Sequence, residues 1–471
     1  MTRDSGSTPC DLLVRNAFVL TMDDDRHVYP RGAVAISGRE IAAVGPEREV
    51  APRFDADQTI DAHGAVVHPG FVEGHVHVTQ HVFRFAFTGA LTWGDLGAFF
   101  TDFHRLVEDE EEHASSLLAC LEMARNGTTS FLEGCGSVLE PDAAAAAAEA
   151  VGIRASLADP FIWDVAPPNP AAADRIPLDR ARALAVLGTQ LKRNADPRAL
   201  VQGHVAVVGH GTVSDELEMA AKACADEHGV ILNQHQSYMD ADTGIDDRRH
   251  GRHPLIHYSE LGLLDANCTF AHMNVLRDDE LLPIVSSWMS VVWCPTASMF
   301  YGVGGALRGR HFELFERGVN VALGSDAPNW AGSIDVGEQA FIAMLTTREQ
   351  TGRGDALEAE DVLPMVTING ARALGWADRI GSLEAGKLAD LVIRRDDLPE
   401  AQPGLDPIRG VVYSGRAKSV DTVIVDGKVI VANGHSTRVD EQAVYERARV
   451  AARGLLKRMN WSIEPRWPLV E

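Results

Sequence analysis

Short apolar runs alternate with amphipathic stretches through the middle of the chain. Residues 108–126 have an acidic start followed by Leu117, Leu121 and Ala124 at helical spacing, and the run at 127–134 has the length of a buried strand. Further strands are predicted at 154–159, 200–208, 229–235, 267–272, 290–294 and 319–326. Together with a strand over 65–70 that leads into His75, they make eight β/α units, which predict a (β/α)8 TIM barrel.

The two ends of the chain have a different pattern, in which short β-rich runs are separated by turn residues. These runs occupy 11–45 near the start and 388–432 near the end. The simplest arrangement places both ends in one small β-sandwich, so the predicted class is α/β. We therefore expect a β-sandwich formed by 1–67 and 377–440, a catalytic barrel at 68–376 and a helical C-terminal tail at 441–471.

Composition narrows the range of partners. The 471 residues carry a formal net charge of -24, which argues against nucleic acid or an anionic membrane surface as a partner. The six cysteines are scattered without a C-x-x-C pair, as expected of free thiols in a reducing compartment. Neither an apolar signal core nor an apolar run long enough to cross a bilayer is apparent. We expect a soluble, cytoplasmic protein that acts on a small molecule.

Residues of metal-binding type stand at the ends of several predicted barrel strands. His75 and His77 follow the first strand, and His235, His272 and Asp326 end the fifth, sixth and eighth strands. Barrel enzymes keep their chemistry at this end of the strands. His75, His77, His235 and Asp326 suit one divalent ion with an open position for water, most simply zinc, although iron, cobalt or manganese would also bind. Asp326 can then accept the water proton, and His272 can stabilise developing oxyanion charge.

Other side chains are weaker candidates for the pocket. The predicted substrate-binding residues are His81, Trp93, Glu133, His210, Tyr238 and Trp330. A polar run at 240–257 contains His250, His253 and His257, and we expect it to be a solvated loop or a mobile cover.

Several short motifs together resemble the amidohydrolase superfamily. They are Pro69-Gly70 before the H-x-H pair, Gly127-Thr-Thr, His235, Ala271-His272, Gly324-Ser-Asp326 and the closing run at 381–392. The nearest branch contains the cytosine and adenosine-derivative deaminases, guanine deaminase and the s-triazine hydrolases. This resemblance covers nearly the whole chain. It implies a distorted barrel flanked by a β-sandwich, a mononuclear metal, hydrolysis at an sp2 carbon, and a homodimer or larger homo-oligomer. Strand four has no lysine for a bridging ligand, which favours one metal.

One position departs from the pattern of this branch. The resemblance implies a glutamate three residues after the strand-five histidine, where it shuttles protons to the leaving group, but this chain has Tyr238. A phenol, with a pKa of ~10, is a poor proton shuttle at neutral pH. Either Tyr238 is a wall and hydrogen-bond donor of the pocket and takes part in catalysis in that way, or another acid such as Glu133 replaces the glutamate.

The sequence therefore predicts a metal-dependent hydrolase that cleaves a C–N bond of a small cyclic or aromatic substrate. The bond would belong to an amide, urea, carbamate or amino-substituted ring. One alternative is a strict deaminase that releases ammonia from an amino-purine, amino-pyrimidine or triazine. Others are a dehalogenase or thioester or thiocarbamate hydrolase on the same site, and a non-catalytic metal-binding protein.

Overall fold

The strands of the molecule fall into three hydrogen-bonded sheets. The computed structural model describes residues 7–86, 93–167, 171–328, 332–415, 417–463 and 467–468. The strands are β1 (Thr8–Leu20), β2 (Val28–Ser37), β3 (Glu40–Pro46), β4 (Phe54–Asp61), β5 (Val66–Pro69), β6 (Phe71–Val76), β7 (Thr128–Glu133), β8 (Arg154–Leu157), β9 (Val201–Gly203), β10 (Val205–Gly209), β11 (Leu232–Gln236), β12 (Cys268–His272), β13 (Ser290–Trp293), β14 (Asn320–Leu323), β15 (Leu391–Arg394), β16 (Val420–Val425), β17 (Lys428–Ala432) and β18 (His435–Ser436).

Helices separate most of the strands in the middle of the chain. The α-helices are α1 (Glu47–Val50), α2 (Trp93–Leu106), α3 (Asp109–Arg125), α4 (Asp142–Val151), α5 (Arg180–Val186), α6 (Asp215–His228), α7 (Asp240–His250), α8 (Pro254–Glu260), α9 (Leu281–Ser287), α10 (Pro295–Tyr301), α11 (Gly305–Arg308), α12 (His311–Glu316), α13 (Val336–Thr351), α14 (Ala359–Met365), α15 (Ile368–Ala373), α16 (Pro407–Tyr413) and α17 (Glu441–Arg458). Short 3-10 helices lie at Val78–Phe83, Thr189–Ala195, Asp278–Glu280 and at three further turns, Ala51–Arg53, Pro399–Ala401 and Ala417–Ser419.

The central strands form two arcs of parallel strands. The first arc has the order β6-β7-β8-β9 and the second has the order β10-β11-β12-β13-β14. Only His204 separates β9 from β10, so the two segments read as one interrupted fourth strand. The arcs also meet at the other seam, where the Asp326 amide donates to the His75 carbonyl at 2.9 Å. This order is that of a (β/α)8 barrel with a broken fourth strand, and the predicted α/β class with parallel strands is confirmed.

The start of the barrel differs from the prediction. The apolar run at 65–70 was expected to be the first barrel strand, but β5 pairs with β1 and β15 in the sheet formed by the chain ends. The chain crosses into the barrel at Gly70, and the first barrel strand is β6. A Cβ atom on Gly70 would lie 2.0 Å from Thr129 Oγ1, so this crossing requires glycine.

Both ends of the chain contribute to one nine-stranded sheet, as the β-rich runs at the termini predict. Its order is β18-β17-β16-β15-β5-β1-β2-β3, with β4 paired to β1. Because successive side chains of a strand point to opposite faces, Leu12 and Val14 pack in one apolar cluster while Leu13 packs in another with Ala33. The sheet is therefore covered on both faces, as in a sandwich. The proposed domain boundaries remain predictions.

The polar run at 240–257 is helical, so the loop prediction is wrong. Helix α7 begins where the Met239 amide donates to the Asp242 carboxylate at 3.3 Å, and it ends at Gly251, whose φ is 69°. Acidic residues in its first turn and basic residues in its last turn suit the helix dipole. The run is thus helical, with Thr243 and Asp246 buried. None of the helices in the described ranges is long and apolar enough to cross a membrane.

Candidate active site

The five strand-end residues meet at one mouth of the barrel. The His75 ring centroid lies 4.9 Å from those of His77 and His235, and 5.2 Å from that of His272. Asp326 Oδ1 lies 3.6 Å from His77 Nε2 and 3.9 Å from His75 Nε2. All five side chains are buried. Residues separated by as many as 251 positions (326 minus 75) thus share one small volume.

The donor atoms of this cluster fit a divalent metal ion. Among the residues that the structure describes, neither ring nitrogen of His75 has a hydrogen-bond partner, and His77 Nε2 faces His235 Nε2 at 3.2 Å. Burial lowers the pKa of His75 and of His235 well below the ordinary value, so both imidazoles are neutral and keep a lone pair. Buried nitrogens without partners are unfavourable unless a cation lies between them.

Neighbouring groups fix the orientation of two of these imidazoles. His235 Nδ1 donates to the Val208 carbonyl at 2.8 Å, which turns Nε2 towards the other histidines. Glu133 Oε1 lies 3.7 Å from His77 Nδ1, while its other oxygen accepts from the Val78 amide at 2.9 Å. A carboxylate behind an imidazole is the usual support of a metal-binding histidine. The position of Glu133 therefore favours support of His77 over proton transfer to a substrate.

Glu73 holds the turn that carries Asp326 and was missed by the sequence analysis. Its carboxylate accepts from both the amide and the hydroxyl of Ser325, each at 2.7 Å. Burial raises the pKa of Glu73 to about 8, against the effect of these hydrogen bonds. The signal in the sequence was an acidic residue inside an otherwise apolar strand, two positions before His75 and thus on the same face.

The backbone is strained at the mouth of the barrel. His210, His272 and Asp326 have φ values of 53°, 76° and 61°, in the left-handed region that side chains other than glycine rarely adopt. Each such residue costs about 1–3 kcal/mol, and strain of this kind concentrates at functional sites. Burial also raises the pKa of Asp326 to about 6, with His77 opposing.

His210 and Tyr238 complete the wall of the site. The His210 ring lies 5.0 Å from that of His235, and its Nδ1 is 3.0 Å from Asp242 Oδ2. The Tyr238 ring lies 4.6 Å from that of His272. Burial raises the pKa of Tyr238 far above its ordinary value, so the phenol stays protonated. Asp242 was missed because its run was taken for a loop.

Among the remaining predicted residues, the described His81 side chain does not join the cluster. His81 Nε2 faces Glu122 Oε2 of α3 at 3.2 Å, and its position favours a link between the strand-one loop and that helix. The side chain of Trp93 and the whole of Trp330 lie outside the described residues. Their predicted contact with a substrate remains a prediction.

Taken together, this geometry supports metal-assisted hydrolysis, and comparison with known proteins agrees. Residues 66–430 match the Amidohydrolase family. The chain belongs to this family. The resemblance stated from the motifs is confirmed. The family acts hydrolytically on carbon–nitrogen bonds, so this amidohydrolase is an enzyme of C–N bonds other than peptide bonds.

Relatives cover nearly the whole amidohydrolase chain. It is 34% identical over 451 residues to a 5-methylthioadenosine/S-adenosylhomocysteine deaminase of Syntrophobacter fumaroxidans, which covers 95% of this chain and 99% of that protein. It is 32% identical over 453 residues to a 5'-deoxyadenosine deaminase of Methanosarcina mazei, with 96% and 99% covered.

Solved structures share the fold of the amidohydrolase. An adenosine deaminase from Xanthomonas campestris with bound zinc has a TM-score of 0.87 and 25% identity, and the match covers 96% of this chain and 100% of that one. An atrazine chlorohydrolase from Arthrobacter aurescens complexed with zinc has a TM-score of 0.83 at 21% identity, covering 94% and 100%, and supports the fold alone.

Proposed function

We propose that this amidohydrolase hydrolyses the bond between a ring carbon and an exocyclic nitrogen of a small nitrogen heterocycle. Purine nucleosides are the first candidates, because the relatives at 34% and 32% identity are named deaminases of 5'-modified adenosines. The observation that carries the proposal is the convergence of His75, His77, His235 and Asp326 on one volume beside His272.

In this proposal His75, His77, His235 and Asp326 hold one divalent metal ion, most simply zinc. The ion would supply a positive charge that lowers the pKa of water and polarises the bond to be cleaved. Asp326 accepts a proton from the attacking water and returns it to the leaving nitrogen.

His272 is placed to stabilise negative charge on the substrate. Its Nδ1 is buried without a hydrogen-bond partner in the described part of the chain, and burial lowers the pKa of the ring well below the ordinary value. A neutral imidazole carries one N–H that it can donate to a developing oxyanion.

Two further donors face the same volume. His210 is held by Asp242, and the protonated phenol of Tyr238 has only a long contact of 3.5 Å to the Ala297 carbonyl among the described groups. Both can donate hydrogen bonds to ring nitrogens of a heterocycle, with Tyr238 also serving as a wall. In this proposal Asp326 is the acid that protonates the leaving group.

The phenol at 238 also favours a second candidate function. A carboxylate shuttle is most needed when ammonia leaves an aromatic ring, and Tyr238 does not provide one. Substituted amines on a ring, or the nitrogen of a cyclic amide, urea or carbamate, need protonation only at the leaving nitrogen, which Asp326 can supply. Release of a substituted amine is therefore the alternative to release of ammonia.

A panel of substrates with distinct leaving groups tests the proposal. The zinc-loaded enzyme would be given adenosine, 5'-methylthioadenosine and 5'-deoxyadenosine, their N6-alkyl derivatives, cyclic ureas, and amino-, alkylamino- and chloro-triazines. Ammonia release places the enzyme with the deaminases, and alkylamine release supports the second candidate. Release of chloride or thiol alone would contradict both, as would a protein that binds no stoichiometric metal and turns over none of the panel.

A further inference from the structure

Three helices bring a carboxylate and two imidazoles together on the outside of the barrel. Asp215 opens α6, His250 ends α7 and His257 lies in α8. His257 Nε2 is 2.9 Å from Asp215 Oδ1, and His250 Nε2 is 3.9 Å from the same oxygen. We infer that Asp215, His250 and His257 form a second site, for a divalent transition-metal ion of the zinc type.

The distances suit such an ion. Zinc binds imidazole nitrogen and carboxylate oxygen at about 2.0–2.2 Å, which places neighbouring ligand atoms roughly 3.3–3.5 Å apart in a tetrahedral site. The observed separations of 2.9 and 3.9 Å bracket this value, and the ligand atoms of all three residues lie within 4.8 Å of one another. Closing the site requires the stacked imidazoles to turn so that His250 Nε2 approaches Asp215 Oδ1.

Exposure of the three side chains also suits a metal site that exchanges with solvent. The imidazoles of His250 and His257 are 13% and 12% exposed and their ring centroids stack at 3.7 Å, whereas the Asp215 side chain is 42% exposed. The two nitrogen ligands are therefore already close together before an ion arrives. The open side at Asp215 leaves room for water to fill the remaining position.

Metal binding at this site displaces the proton that His257 Nε2 shares with Asp215 Oδ1. The nearby arginines have other partners, since Arg249 donates to the Val213 carbonyl at 2.8 Å and Arg252 pairs with Glu260.

This site is separate from the barrel mouth but shares a helix with it. Asp242, which holds His210, lies two turns before His250 on the same face of α7, about 12 Å along the helix axis. Asp246, buried between them, belongs to the same face. An ion bound at the outer end would fasten α7 to α6 and α8 without entering the active site. This inference does not depend on the proposed function.

Zinc binding to the holoenzyme tests the inference. Protein carrying one equivalent of metal at the barrel mouth would be titrated with Zn²⁺ by equilibrium dialysis and calorimetry. Asp215→Asn and His257→Gln would be compared with His63→Gln, which alters an exposed surface histidine paired to Asp61 at 3.5 Å. We expect wild type and His63→Gln to bind a second equivalent in the micromolar range. Asp215→Asn and His257→Gln should bind it at least tenfold more weakly while keeping the first.

Thermal melting with and without Zn²⁺ provides a second readout. Added Zn²⁺ should raise Tm in wild type and His63→Gln but not in Asp215→Asn. Asp215→Asn keeps the size of an exposed side chain, so its fold can be checked by its Tm without added metal. The inference is overturned by equal binding of a second equivalent in every variant, or by no second equivalent in wild type at 100 µM Zn²⁺.

Discussion

Two buried clusters of titratable side chains lie at opposite ends of the barrel, and they differ in how their polar and charged groups are paired. At the junction between the barrel and the end sheet, Arg154 donates to Asp390 at 2.6 Å and to Asp426 at 2.8 Å. Arg39 adds a further bond to Asp426 at 2.7 Å. Each arginine in this cluster is paired with an aspartate, as expected of a buried network that joins two parts of a fold.

The barrel mouth leaves several of its polar atoms unpaired instead. Both ring nitrogens of His75 lack partners among the described residues, and the backbone at His272 and Asp326 is in the left-handed region. Such an arrangement lowers the stability of the fold. The two clusters therefore differ in kind, because the first pairs its charges whereas the second leaves imidazole nitrogens open to a cation. Four substitutions test that contrast.

Removing a proposed metal ligand should have the largest effect. His235→Ala is expected to lose the metal and to lower turnover at least about 1,000-fold, because the ion supplies most of the activation of water. Metal content by plasma mass spectrometry and turnover would be measured on the same preparation. The exposed control His63→Ala should keep both. Full metal content and turnover in His235→Ala would remove it from the ligand set.

Breaking the paired cluster should affect stability rather than chemistry. Arg154→Leu leaves Asp390 and Asp426 buried without their main partner and should destabilise the fold by about 3–5 kcal/mol. Denaturant unfolding would measure the loss, while the metal content of the folded fraction should not change. The control Arg198→Ala, in an exposed pair with Glu40 at 3.2 Å, should cost less than about 1 kcal/mol. Equal stability of the two variants would contradict the contrast.

Glu112 of α3 has a buried carboxyl whose hydrogen bonding is incomplete, and its substitution tests the effect of that incomplete pairing on stability. One of its oxygens accepts from Ser137 Oγ at 3.0 Å and the other has no partner among the described residues. Burial raises the pKa of Glu112 from 4.5 to about 8, so the native state keeps a proton that the unfolded chain releases. The stability contributed by this group is complete below pH 4.5 and is lost as the pH rises to about 8.

Glu112→Gln should remove this dependence. The variant is expected to gain a few kcal/mol over wild type at pH 8.5 and nothing at pH 4.5, as measured by urea unfolding at both values. Glu149→Gln, at an exposed position of α4, is the control and should follow wild type. A difference between Glu112→Gln and wild type that does not vary with pH would show that the carboxyl is not buried as described.

The smallest effect is expected from the phenol at the mouth. Tyr238→Phe should lower kcat about tenfold, the loss of one hydrogen bond of about 1.4 kcal/mol, while metal content and Tm stay unchanged. Tyr413→Phe, whose hydroxyl contacts Glu358 at 3.4 Å away from the site, is the matched control and should keep full turnover. Unchanged turnover in Tyr238→Phe would reduce the phenol to a wall of the pocket.

Much of the site could be predicted because the carboxyl ends of parallel barrel strands all lie at the same mouth of the barrel. Once His75, His235 and Asp326 are placed at strand ends, their approach follows from the closed order of strands. The helix over 109–125 and the β-rich chain ends were also predictable, since their periodicity is local.

Other features depend on contacts that periodicity does not record. Glu73 bonds to Ser325, 252 positions away, and β5 joins the end sheet because it pairs with β15. Helix α7 was missed for another reason. Its acidic start, basic end and closing Gly251 were visible in the sequence. The run is so polar, however, that it lacks the spaced apolar residues that indicate a helix.

The interruption at His204 has a consequence for how the barrel is held closed. Among the described residues, the sheets of the two arcs adjoin at this break and at the seam beside Asp326. His75 and His77 belong to one arc, whereas His235 and Asp326 belong to the other. An ion bound by these four residues would therefore link the two arcs across the seam. Removal of the ion by chelation would weaken this link between the arcs. Amide hydrogens of β6 and β14 would then exchange with deuterium sooner than those in the middle of either arc.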